Sequence, residues 1–134
     1  MNEALDAAYR AAVYRVAADP PFALRVGEPS APLDALLRFH AVTSWAFVTA
    51  CNPGSQMLSE EENAERMSEL RAVVGGHVVY ECEGTDPTGV WPGEPSLLVL
   101  GMSRTAAVEL ARRFGQNAIL CGDRGGVAEL QWVK

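Results

Sequence analysis

Two short apolar runs constrain this chain most. Residues 45–51 read Trp-Ala-Phe-Val-Thr-Ala-Cys, and residues 96–100 read Ser-Leu-Leu-Val-Leu. Each is too short for a buried helix, is rich in aromatic, branched or aliphatic residues, and ends in turn-forming sequence. That combination predicts buried central strands. The first run stops at Asn52-Pro53-Gly54-Ser55, where proline and glycine punctuate the chain. A fold around such strands needs amphipathic cover, and the remaining segments supply it.

Helical spacing at Leu5, Ala8, Tyr9 and Ala12 predicts a helix over residues 2–12. Residues 14–17 and 22–26 read as a hairpin around Asp19-Pro20-Pro21. Ser30 is a good N-cap for a helix with Pro32 in its first turn and Leu33, Leu36, Leu37 and His40 inward. Ser59 and Glu62 form a capping box for a helix reaching Val74 and stopping at Gly75-Gly76. A strand is expected over 77–83, then a long loop over 84–95. Ser103 caps a helix with the stripe Ala107, Leu110, Ala111 and Phe114, ended by Gly115. Strands over 117–121 and 127–133 close the chain. The expectation is an α+β fold: a mixed, largely antiparallel sheet of about seven strands and about four helices, with the helices on one face. No repeat or linker divides the 134 residues, so a single domain over 1–134 is expected.

Composition narrows the function classes. The apolar fraction is 49% and the net charge −6, from 17 acidic and 11 basic residues. An acidic chain disfavours nonspecific attachment to nucleic acid or anionic lipid. Arg112-Arg113 is the sole adjacent basic pair, and its place in a helix's last turn explains it through the dipole. No segment has the ~20 apolar residues of a membrane span. The start, MNEALDAAYR, lacks a basic-then-apolar signal, so a cytoplasmic location is expected. Cys51, Cys82 and Cys121 are read as free thiols in strands, fitting a reducing compartment. Their spacing, with only His40 and His77 present, matches no metal pattern, and no cofactor motif occurs.

Several stretches, in order, carry a resemblance. They are Tyr9-Arg10; Thr49-Ala50-Cys51-Asn52-Pro53-Gly54-Ser55; Asn63; Trp91 with Glu94-Pro95-Ser96; and Gly115-Gln116-Asn117-Ala118. Together, over about residues 9–119, they resemble the bacterial family catalogued as domain of unknown function 3293. The resemblance implies a shared fold and a bacterial origin. It assigns no catalytic role to any residue.

Candidate functional residues are those that break a local rule. Asn63 shares the inward stripe with Met67, Leu70 and Val74, so its amide needs hydrogen bonds. It either braces the Asn52–Ser55 turn or faces a ligand. The helix start at Ser103, with Arg104 and no early acid, could hold an anion; the alternative is a solvated arginine. Trp91 is a core plug or the lid of a pocket. Glu94 and Ser96 are two apart at a strand's mouth and so share a face. Glu94 is then a candidate acid or base, or a carboxylate bonded to turn amides. Gln116 enters a strand with both donor and acceptor to offer.

Two functions compete. One is a pocket for a small polar or anionic ligand, phosphorylated metabolites included. It would be built from Thr49, Asn52, Ser55, Asn63, Glu94, Ser96 and Gln116, with Trp91 as lid and Ser103 and Arg104 as an anion site. The other is a non-catalytic interaction module such as a homodimer. If the strands 45–51 and 96–100 are antiparallel neighbours, Thr49, Asn52, Glu94, Ser96 and Gln116 should meet at one sheet edge.

Overall fold

Side-chain alternation along the strands builds two hydrophobic layers, one on each side of a single sheet. A computed structural model describes residues 3–89 and 92–133. In chain order the elements are α1 (Glu3–Ala11), β1 (Val13–Val16), β2 (Phe22–Leu24), α2 (Ala31–Phe39), β3 (Ser44–Val48), a 3-10 turn (Pro53–Ser55), α3 (Glu60–Val73), β4 (Val78–Thr85), β5 (Glu94–Leu100), α4 (Arg104–Arg113), β6 (Ala118–Asp123) and β7 (Glu129–Trp132). The strands lie in the order β2-β1-β4-β5-β3-β6-β7, and every pairing between them is antiparallel. The fold is a single α+β domain. The sheet curls until residues 26–29, just past β2, bridge residues 127–128, just before β7. An isolated bridge there, Val26 to Ala128, is parallel.

The helices cover both faces, not one. Met67, Leu70 and Val74 from α3 and its end, with Ala107, Leu110, Ala111 and Phe114 from α4, pack on Ala46, Val48, Leu97, Val99 and Ile119. On the other side Leu33 and Leu37 of α2 pack with Trp45, Phe47, Leu98, Leu100 and Leu120. The reason lies in β3 and β5: both are apolar at successive positions, so each side needs cover. The three serine caps form as expected. Ser30, Ser59 and Ser103 accept from Leu33, Glu62 and Ala106, and Glu62 completes the capping box.

Most strand ends fall one to three residues from the expected positions, the last strand being Glu129–Trp132 rather than 127–133, and two of these differences shape the site. β3 ends at Val48, three residues early. Thr49 Oγ1 donates to the Pro95 carbonyl at 2.7 Å and accepts from Cys51 N, replacing the ladder with a local side-chain turn. Cys51 therefore lies beyond the strand, whereas Cys82 and Cys121 lie within theirs; all three are free and buried. The expected loop over 84–95 shrinks to residues 86–93, because Gly84 pairs with Glu94 and Glu83 with Pro95. Proline is tolerated because its carbonyl turns toward Thr49. Its missing N–H lies on that same side, away from β4.

Candidate functional site

The antiparallel β3–β5 and β3–β6 pairings bring the end of β3 together with the starts of β5 and β6. At that end of the sheet a half-enclosed cavity of about 50 Å³ is lined by Tyr9, Tyr14, Thr49, Glu94, Ser96 and Gln116, among others. Asn52 stands behind it, donating from Nδ2 to Glu94 Oε2 at 2.9 Å. Thr49, Asn52, Glu94, Ser96 and Gln116 thus converge.

One row of the sheet shapes the opening. Tyr14 pairs with Gly84, and Gly84 with Glu94, so the three sit side by side on one face. The middle position has no side chain, which leaves a gap between the Tyr14 ring and the Glu94 carboxyl. Nothing in the backbone demands glycine there. A Cβ at 84 would meet only Tyr14 Cδ1, at 4.0 Å, an ordinary contact. Glycine inside a strand weakens it and often marks a close approach by another group.

Asn52 orients Glu94. Its backbone is left-handed (φ 48°), a conformation asparagine tolerates better than most residues. Its Oδ1 accepts from Leu58 N and from Asn63 Nδ2, both at 2.9 Å. Since those groups donate, Nδ2 must point the other way, at Glu94. Asn63 Oδ1 in turn accepts from Asn52 N at 3.0 Å. Asn63 therefore braces the turn, the first of its two readings, and it is half-buried rather than buried. Its place in the first turn of α3 explains that: the stripe reaches full burial only at Met67.

Burial raises the Glu94 carboxyl above the ordinary carboxylate range, and the Asn52 hydrogen bond only partly opposes this. Burial likewise raises Tyr9, Tyr14 and the Cys51 thiol, with the Glu94 charge adding to each. Ser96 is buried, and its hydroxyl donates to the Glu94 carbonyl. Gln116 is also buried, and its Nε2 donates to the carbonyls of Cys51 and Phe114. Ser55 is exposed and accepts from Asn117 Nδ2; both side chains lie near the Tyr9 hydroxyl and partly oppose the upward push of burial on it.

Not every candidate joins the site. Ser103 and Arg104 lie at the opposite end of the sheet, where Arg104 lines a recess with Trp45 and Asp123. Arg104 is neither free for an anion nor merely solvated: it bonds Glu129 Oε2 at 2.8 Å and Gln131 Oε1 at 2.7 Å. This pair is exposed, so Arg104→Ala should cost no more than about 1 kcal/mol in a denaturant titration. Trp91 lies outside the described residues. Sequence reasoning missed Tyr9 and Tyr14. Tyr9 looked like a core residue of α1, yet the motif Tyr9-Arg10 had already set it apart.

Fold and site together define a small α+β domain with a carboxylate-bearing cavity at one end of an antiparallel sheet. Residues 48–119 match the family described as protein of unknown function (DUF3293), more than half of the 134 residues. The chain belongs to that family. No curated protein and no solved structure matches it. Among the described residues, no helix is long and apolar enough to cross a membrane.

Proposed function

We propose that this is a cytoplasmic protein that binds a small polar ligand in the cavity at Glu94. One observation carries the reading: a carboxyl in partly apolar surroundings is held in a fixed orientation by Asn52, beside open space. Desolvating a carboxylate is unfavourable unless it is paired, and an amide is a weaker partner than a cation. Segments separated by tens of residues supply the walls, as a ligand site requires. The fit to a phosphorylated ligand is poor. Among the described residues, those lining the cavity include no arginine, lysine or histidine.

The test is Glu94→Gln, which keeps the shape and an oxygen to accept from Asn52. The folded protein holds the Glu94 proton more tightly than an unfolded chain does. Stability from this group therefore falls as pH rises from the unfolded carboxylate value, about 4.3, through the raised folded value. The variant lacks that loss. It should melt at or above the parent at pH 7, with the difference shrinking toward pH 4. A large drop in melting temperature at pH 7 instead would identify Glu94 as a structural brace and remove the basis for the pocket.

A further inference from the structure

The cavity's hydrogen-bonding capacity is one-sided. The Thr49 hydroxyl proton goes to the Pro95 carbonyl at 2.7 Å. The Ser96 proton goes to the Glu94 carbonyl at 3.0 Å, and the Tyr14 proton to the Tyr9 carbonyl at 2.6 Å. Gln116 Nε2 spends its donors on two backbone carbonyls. Those carbonyls can only accept, so the amide's orientation is fixed by chemistry. What these side chains still offer is oxygen lone pairs: Ser96 Oγ, Tyr14 Oη, Gln116 Oε1 and the Glu94 carboxyl. The Tyr9 hydroxyl stands apart: it lies near Ser55 and Asn117 and can both donate and accept. Among the described lining residues, the one formal charge is that of Glu94.

Resting on the pocket reading above, we infer that the cavity accepts a compact cation bearing N–H donors, the end of a primary amine or a guanidinium. Such a group meets every unfilled acceptor and pairs the carboxylate with a charge. The size agrees: about 50 Å³ admits a headgroup but not a whole nucleotide. The missing side chain at Gly84 provides the room, between the Tyr14 ring and the carboxyl. An aromatic ring beside a cation adds attraction of its own.

The titratable groups that face Glu94 are Tyr9 from α1, Tyr14 from β1 and Cys51 beyond β3. Burial pushes all three upward from values already far above a carboxyl's, so Glu94 is the group among them that ionises first as pH rises. Arg66, from α3, is held by the carbonyls of Ala50 and Phe114.

The experiment is an NMR titration of the whole chain, following the Gln116 side-chain amide and the backbone amides of Thr49, Ser96 and Ala118. The probes are methylammonium, guanidinium at low concentration, tetramethylammonium, acetamide and inorganic phosphate, at constant ionic strength. Methylammonium or guanidinium should shift these signals saturably, while tetramethylammonium, equally charged but without N–H, should not. Affinity should rise with pH as Glu94 ionises, and Glu94→Gln should weaken it about tenfold or more and abolish the pH dependence. Gly84→Val fills the gap and serves as a second variant, expected to block binding with the carboxylate intact. Saturable binding of acetamide or phosphate, without either N–H cation, would overturn the cation inference and leave a pocket. No saturable shift with any probe would overturn the pocket itself.

Discussion

Asn52→Ala should destabilise the protein by about 3–5 kcal/mol, lowering its melting temperature by roughly 10–20 °C. The estimate comes from what one side chain does. It accepts from Leu58 N and Asn63 Nδ2, and it donates to Glu94. Truncation strands two donors and leaves the Glu94 carboxyl without its amide partner, and each stranded group costs about 1–3 kcal/mol where water cannot replace the bond. Alanine also tolerates a left-handed backbone less well than asparagine does. Asn52→Gly separates the two effects. It removes the strain but not the lost bonds, so it should recover only about 1 kcal/mol of the loss. Guanidinium or thermal unfolding of the three proteins decides the matter. Equal stability of Asn52→Ala and parent would mean that the turn is held by its backbone alone.

Gly115→Val should cost about 2–5 kcal/mol. Gly115 follows α4 with φ at +70°, and a Cβ there would lie 2.9 Å from the Cβ of Pro53. Its carbonyl also accepts from Gly54 N at 2.8 Å. The residue therefore clamps the turn after β3 against the entry to β6. A branched side chain would be strained by its own backbone and would push the two segments apart. Because the displaced segments carry Asn52 and Gln116, the chemical shifts of both side-chain amides should change along with the stability. A stability loss that left both amides unmoved would show that the clamp does not reach the site.

The elements were legible wherever short-range chemistry decides them. Ser30, Ser59 and Ser103 marked three helix starts, because a serine oxygen that caps N–H groups acts over three residues. The buried strands at Trp45 and Leu97 were legible from their length and lack of polar breaks. The end of β3 was not, since it depends on a hydroxyl at Thr49 reaching Pro95, 46 residues away. Cover on both faces was also missed. The successive apolar positions of β3 and β5 already called for it, but which helix covers which side depends on contacts between segments far apart in the chain. In the site, the convergence of Thr49, Asn52 and Glu94 could be reasoned from which strand ends meet. Arg104 misled, because its partners Glu129 and Gln131 come from a distant strand. Tyr14 was invisible as a wall of the cavity, since nothing local says that its neighbour across the sheet is a glycine.

The first helix carries one wall of the cavity, Tyr9, yet no residue of that helix is buried. It is pinned by a few contacts: the Tyr9 ring edge-on to Trp132 at 5.6 Å, the Trp132 indole N–H to Asp6, and the Tyr14 hydroxyl to the Tyr9 carbonyl. Elements with so little apolar area under them open locally at a small fraction of the global unfolding free energy. The opposite wall, β5, runs from Glu94 straight into the buried residues Ser96–Leu100 at the centre of the sheet. The two walls therefore live on different clocks: one holds the carboxyl in place for as long as the protein is folded, while the other can lift away and return many times within that lifetime.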